Sequence, residues 1–238
     1  MNGKTIDYEN LKKRGFIRQR QEGFFVLRTR MAFGTYNGKT LDVIKRIAEK
    51  YARGIAHATT RQGLEVPFIK LEDIPNVEKE LAANSILTGT SGARVRTTTV
   101  CPGNNWCKSG LIDTFLLEKR IDVEAGVKCG ADLPHKLKIA ISGCPNGCTR
   151  PQFTDIGIHG KIDLSSADKR IGYALYIGGC GGKKPKEAYS PEKIYTEDEV
   201  VSLIEKIIKF YKEKGRARQR LGELIEETGR EEFEKYIL

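Results

Sequence analysis

The chain contains no run of eighteen apolar residues, so no segment can cross a bilayer as a helix. Its first residues, Met1-Asn2-Gly3-Lys4-Thr5-Ile6-Asp7, hold none of the apolar stretch that an export signal requires. No fixed-period repeat and no low-complexity tract occur, which excludes solenoids and biased linkers. Aromatic and basic residues do not interleave, and no nucleic-acid recognition motif is found, so binding of nucleic acid is not expected. The expected compartment is a reducing cytoplasm. There the six cysteines would serve as thiols or metal ligands in preference to disulfides.

What is present describes a water-exposed globule of 238 residues, 39% hydrophobic and 30% charged, long enough for one domain or two small ones. The formal charge is +10 and the pI about 9.3, which points to anionic partners: an acidic protein or small anions. Four of the cysteines stand in two clipped pairs, Cys101-Pro-Gly-Asn-Asn-Trp-Cys107 and Cys144-Pro-Asn-Gly-Cys148. The C-x5-C spacing is wide for a zinc knuckle. Two loops separated by a helix and a strand suit a [4Fe–4S] cube, whose irons need ligands from separate directions. Pro and Gly in both loops allow tight turns that aim backbone N–H groups at sulfur. A zinc site or disulfides are the alternatives.

Periodicity supplies the frame. Phe24 to Met31 reads as a strand, and Leu41, Ile44, Ile47, Ala48 and Tyr51 read as a helix behind a Thr40 cap, with Gly54 beyond its end. Ile55 to Thr60 and Val66 to Ile69 read as strands, and a helix with Pro75 in its first turn presents Val77, Leu81 and Ala82 inward. Val95 to Val100 reads as a strand entering the first cysteine loop, and Lys108 to about Arg120 as a helix marked by Leu111, Ile112, Phe115 and Leu116. Lys138 to Ser142, Ile156 to His159 and Tyr173 to Ile177 read as strands, the last broken by Gly178-Gly179-Cys180-Gly181-Gly182. Thr196-Glu197-Asp198-Glu199 is a capping box opening a helix along Val200, Leu203, Ile204, Ile207, Ile208 and Tyr211. Leu221, Leu224 and Ile225 mark a further helix, restarting after Gly229 with Phe233 and Ile237. The polar stretch from Gly182 to Pro191 is the one linker candidate. The fold class is α+β: an N-terminal half, 1–85, then an α/β domain with C-terminal helices, 86–238.

With those pieces placed, the chain resembles the siroheme-dependent sulfite and nitrite reductases, in particular their small single-repeat members. The resemblance rests on Thr59-Thr60-Arg61-Gln62, on the paired cysteine loops, and on Leu133-Pro134-His135-Lys136-Leu137-Lys138 leading into Ser142-Gly143-Cys144. Asp155-Ile156-Gly157 and the glycine-rich loop add to it. It implies a ferredoxin-like first half and a second domain that binds siroheme and a [4Fe–4S] cluster. Cys101, Cys107, Cys144 and Cys148 would be the cluster ligands, with Cys148 also bridging to the siroheme iron. Arg28, Arg61, Arg96, Lys136 and Lys138 would bind the substrate anion and deliver protons. Gly178, Gly179 and Gly181, with Lys183 and Lys184, would meet the tetrapyrrole carboxylates.

The implied activity is six-electron reduction of sulfite to sulfide, or of nitrite to ammonia. No C-x2-C-x2-C run occurs, so electrons would come from a separate, acidic ferredoxin-like donor. Larger relatives carry two copies of the repeat; with one, a two-fold homodimer sharing its sites is expected, a self-sufficient monomer being the rival. A subunit that holds the cofactors without catalysis is the alternative function. Cys129 and Cys180 read as spare thiols, and His57, His135 and His159 as structural. Arg30 and Arg94 read as surface, and Trp106 as a shield for the cluster.

Overall fold

The computed structural model describes residues 6–164 and 169–238, so the export-signal reading of the first five residues lies outside them. The chain divides into two compact units, one up to Gly92 and one from Ala93 on.

In the first unit a short helix α1 (Tyr8–Lys13) leads into strands β1 (Phe16–Arg18) and β2 (Phe24–Arg30). Alternate side chains of β2, namely Phe25, Leu27 and Thr29, are buried, as a half-buried strand requires. Helix α2 (Gly38–Tyr51) lays Val43, Ile44, Ile47 and Ala48 into that core. Its cap is Asn37 in place of the expected Thr40: the Asn37 side chain accepts the Thr40 N–H at 2.9 Å and the Thr40 hydroxyl at 3.0 Å. The strand expected over Ile55 to Thr60 shrinks to β3 (His57–Ala58), because the Thr59 N–H already closes a tight loop onto the Gly63 carbonyl at 2.8 Å.

β4 (Leu64–Lys70), α3 (Ile74–Ala83) and β5 (Leu87–Thr88) complete the unit. The sheet order is β1-β2-β4-β3, antiparallel throughout, with β5 also on β2. Val77 and Leu81 of α3 face inward; Ala82 is exposed, contrary to expectation, one position past the buried stripe.

The second unit is built on β6 (Thr99–Val100), β7 (Ile139–Ser142), β8 (Ile156–Ile162) and β9 (Ile171–Ile177), in that spatial order. β6, β7 and β8 are parallel and β9 returns antiparallel. β7 is buried along its whole length, the mark of a strand covered on both faces. β6 is shorter than its sequence suggested. Upstream, Val95 bridges Leu137 and Arg94 bridges Asp132, so the chain reaches the ladder only at Thr99. Arg94 is buried, not superficial, and its Nε donates to Asp132 at 2.9 Å.

Helix α4 (Thr114–Val123) begins six residues later than expected. Asp113 caps it by accepting the N–H groups of Phe115 and Leu116. Its inner face is Thr114, Leu117, Glu118 and Ile121, while Leu116 is exposed. The preceding Leu111 and Ile112 are held outside the helix by hydrogen bonds to the cysteine loops.

At the C-terminus α5 (Glu197–Lys214) carries both halves of its capping box and buries the whole expected stripe. α6 (Leu221–Thr228) and α7 (Arg230–Ile237) meet at Gly229, whose φ of 89° breaks the helix as expected. Gly182 to Pro191 is not a linker between domains. Lys186 pairs with Cys180 and Tyr189 with Ile177, and both flanks belong to the second unit. Removing the Thr196 hydroxyl by Thr196→Ala is expected to cost about 1 kcal/mol. In a thermal melt this reads as a Tm lower by about 2–4 °C.

Candidate active site

Parallel pairing places the C-terminal ends of β6 and β7 side by side, and each strand runs straight into a cysteine loop. The Cys101 N–H donates to the Ile141 carbonyl at 3.1 Å, carrying the ladder one residue past β6. The Gly143 N–H then donates to Cys101 Sγ at 3.0 Å, a direct link from the second loop to a sulfur of the first. The Leu111 N–H donates to the Gly143 carbonyl at 2.8 Å, and the Asn104 N–H to the Ile112 carbonyl at 3.0 Å. The Thr114 hydroxyl closes the turn on the Cys101 carbonyl at 2.6 Å.

This stitching depends on glycine. A Cβ on Gly143 would lie 2.6 Å from Gly103 Cα, and one on Gly110 would lie 2.2 Å from the Gly103 carbonyl carbon. Gly103 itself has φ +55°, and a Cβ there would meet the Ile112 carbonyl oxygen at 2.5 Å. The two loops therefore touch backbone to backbone. Gly103, Gly110 and Gly143 were not singled out as site residues from sequence, although their places within and beside the cysteine motifs offered the signal.

All six cysteines are free thiols, so the disulfide alternative does not hold. Cys144 is buried, Cys101 half-buried, and Cys107 and Cys148 are exposed. Among the described residues no three His, Cys, Asp or Glu side chains are grouped to hold a single metal ion. Four thiols on two abutting loops, with an amide already directed at one sulfur, fit a cluster whose ligands attach to different irons. Trp106 is 64% exposed and packs edge-on against Phe115 at 5.3 Å, so it borders the first loop without being sealed over it.

The basic residues fall in both units. Arg28, in β2, donates from Nε and Nη2 to Glu65 Oε1 at 2.8 and 2.5 Å, so a carboxylate already neutralises it. Arg61 is half-buried in the Thr59–Gly63 turn, where the Thr59 hydroxyl accepts the Gly63 N–H at 3.1 Å. In the second unit Arg96 is buried and its N–H donates to the Leu137 carbonyl at 2.9 Å, which seats it beside Lys136 and Lys138. Partial burial first, then Lys136 and Arg220, with a smaller push from Arg96 and Glu223 opposing, hold the His135 imidazole below its ordinary pKa. The structure thus brings Arg96, Lys136 and Arg220 into one cationic neighbourhood. Arg220 lay outside every motif recognised in the sequence.

In the glycine loop, Gly178 and Gly179 are buried and packed. A Cβ on Gly178 would approach Gly222 Cα at 3.2 Å, and one on Gly179 the Gln152 carbonyl oxygen at 2.5 Å. Gly181 has nothing within 4 Å of such a Cβ, and Lys183 and Lys184 are exposed. The outer loop is therefore the part open to a ligand. Cys180 Sγ lies 3.4 Å from the Lys184 carbonyl oxygen, and Cys129 Sγ lies 3.7 Å from the Thr97 hydroxyl; neither joins the four.

The chain thus orders an antiparallel ferredoxin-like half before a unit on a mixed, mainly parallel sheet. The NirA protein of Mycobacterium tuberculosis matches it with a TM-score of 0.82 at 21% identity, over 98% of this chain and 46% of that one. The chain belongs to the nitrite and sulfite reductase family. Residues 91–237 match the nitrite and sulphite reductase 4Fe-4S domain, and residues 17–84 match the nitrite/sulfite reductase ferredoxin-like half domain. It is 30% identical to the coenzyme F420-dependent sulfite reductase of Methanocaldococcus jannaschii over 96% of its length, but spans only 44% of that protein. It is 28% identical to the assimilatory-type sulfite reductase of Nitratidesulfovibrio vulgaris over 94% of its own length and 97% of the relative's.

Gly143→Ala is expected to push the cysteine loops apart and lower iron content in anaerobically purified protein, with helical circular dichroism retained. Gly181→Ala, which meets no atom, is expected to leave iron content unchanged.

Proposed function

We propose that the chain reduces sulfite to sulfide, or nitrite to ammonia, with electrons from a separate acidic donor protein. The observation that carries this reading is the Gly143 N–H on Cys101 Sγ, which ties the second cysteine loop to a sulfur of the first. Cys101, Cys107, Cys144 and Cys148 would hold the [4Fe–4S] cluster, with Cys148 shared with siroheme. When bound, the two groups supply an electron path and an iron on which a small oxyanion can sit.

The chain's own residues supply charge and protons. The Arg96 backbone pairs with Leu137, between Lys136 and Lys138, so three basic residues share one strand-edge segment, which suits an anion accepting electrons. An arginine fork orients an oxyanion through two parallel hydrogen bonds, and lysine ammonium groups can hand over the protons that each two-electron stage consumes. Arg61 is proposed as a further anion contact. Arg28 is proposed in a lesser share, because Glu65 competes for its guanidinium. The exposed Gly181, Lys183 and Lys184 are proposed to meet tetrapyrrole carboxylates, with Gly178 and Gly179 shaping the loop beneath them. Exposed Cys107 and a net charge of +10 are consistent with approach of an acidic donor.

The test is anaerobic purification with siroheme supplied, followed by an absorption spectrum, an iron-to-sulfide count and turnover of both anions under a strong artificial reductant. A colourless, iron-free chain overturns the reading. A coloured chain that turns over neither anion supports a cofactor-holding subunit in its place. Arg61→Ala and Lys136→Ala are expected to raise KM by about ten- to a hundredfold, the worth of one charge-assisted hydrogen bond, at unchanged cofactor content. Arg28→Ala is expected to raise it less. For the shared-site homodimer, mixing Cys148→Ser chains with Arg61→Ala chains is expected to restore part of the activity; no restoration favours the monomer.

A further inference from the structure

Among the described residues of the second unit Asp155 is the most completely buried carboxylate, with its side chain 1% exposed, and its partner Arg220 is 12% exposed. Arg220 donates to Asp155 through Nε at 3.0 Å and through Nη2 at 2.7 and 2.8 Å. The Asp155 Oδ2 also accepts the Lys138 N–H at 2.9 Å. The Asp155 carbonyl accepts the Gly178 N–H at 2.8 Å. One residue thus grips the start of the Lys138 strand, the first residue of the glycine loop and the cap of α6.

α6 repeats the connection from the other side. A Cβ on Gly222 would fall 2.1 Å from the Gly178 carbonyl oxygen, so helix and loop touch through backbone alone. Lys186, at the far end of the loop, pairs with Glu226 at 2.6 Å and approaches the Gly222 carbonyl at 3.4 Å. The Arg218 N–H donates to the Pro134 carbonyl at 2.9 Å, alongside the segment that carries Lys136. Beyond α6 itself, where the Arg220 N–H donates to Glu223, the ties of the pair and its flanks end on Pro134–Lys138 and Gly178–Lys186.

Two charges buried together gain little net stability over an apolar pair of the same volume, because desolvation offsets their attraction. What they do supply is direction: a planar fork on a carboxylate tolerates little displacement. We infer that Asp155 and Arg220 are positioning residues that fix the Pro134–Lys138 segment and the Gly178–Lys184 loop against one another, so that the loop is held where it meets a polyanionic ligand. The inference rests on the proposed reading that this ligand is a carboxylate-fringed tetrapyrrole. It leaves the cysteine loops alone, since those are stitched by Gly103, Gly110 and Gly143.

The test compares wild type, Asp155→Asn and Arg220→Lys, each purified anaerobically with siroheme supplied. Iron, acid-labile sulfide, tetrapyrrole absorbance per chain and Tm are measured. Arg220→Lys keeps the charge and loses the fork, so it reads the geometry even if Asp155→Asn fails to fold. The expected result is acid-labile sulfide as in wild type, and iron lower only by the share the tetrapyrrole carries, with tetrapyrrole retention lower by about ten- to a hundredfold in apparent affinity, as for other supporting partners of a bound group. Tetrapyrrole retained at the wild-type level in Arg220→Lys overturns the inference. So does loss of tetrapyrrole and cluster in step with a fallen Tm, the mark of a merely structural pair. A wild-type chain that takes up cluster and no tetrapyrrole overturns the functional reading itself, and is told apart because the variants then have nothing to lose.

Discussion

The contact between the two cysteine loops is the constraint on which the rest of the second unit depends. Thiols forty residues apart in sequence must be delivered to a common place, and the parallel ladder does the delivery. With Val100 opposite Ile141, the two strands end at the same edge of the sheet, β6 running on into Cys101 and β7 into Gly143 after Ser142. In open sheets with parallel strands, ligands gather at that edge for this reason. The last increment of proximity comes from missing side chains. Where Gly143 lies over Gly103 no other residue fits without moving backbone, and the amide so placed reaches the Cys101 sulfur.

The positive charge has a local structure that the net value of +10 conceals. Several arginines are already answered by carboxylates: Arg28 by Glu65, Arg94 by Asp132, Arg120 by Glu124, Glu197 and Asp198, and Arg220 by Asp155. Fixed pairs of this kind hold elements in place and add little field. Around His135 the balance differs: burial is the main reason its imidazole titrates low, and Lys136, which has no carboxylate partner among the described residues, adds to it. A small anion responds to such a local excess, and a count of basic residues cannot show where it lies.

The elements legible in the sequence were those with long, clean periodicity. The stripe from Val200 to Tyr211 and its capping box are found as read, and so is the break at Gly229. The misreadings share a cause, namely local hydrogen bonding that outbids pattern. Leu111 and Ile112 have the spacing of a helix, yet Gly143 and Asn104 recruit their backbones to the cysteine loops. Asn37 displaces Thr40 as cap because its side chain reaches the right N–H one turn earlier. Elements of two or three residues, β1 and β5 among them, carry too few residues for any period to register. At the site, the cysteines and Arg96 were legible as motifs. Arg220 was not, since its link to Asp155 spans sixty-five residues and leaves no local trace.

Two different devices hold the two halves of the candidate site, and the difference follows from what each must grip. Sulfurs that share a rigid inorganic cube have to be placed within tenths of an ångström. Steric contact between glycine backbones suits that demand, because repulsion rises steeply and leaves no slack. Lysine ammonium groups facing carboxylates on a larger, flexible ring margin need only the right neighbourhood, since long side chains adjust their own reach. An ion pair beneath their backbones suits this second demand: it fixes where each segment starts and leaves the side chains free to follow the ligand. Asp155 lies where the two regimes meet, thirteen residues past Ser142 at the start of the adjoining strand. The register of β8 on β7 sets the height at which its carboxylate meets Lys138, at the start of the strand whose other end opens the second cysteine loop.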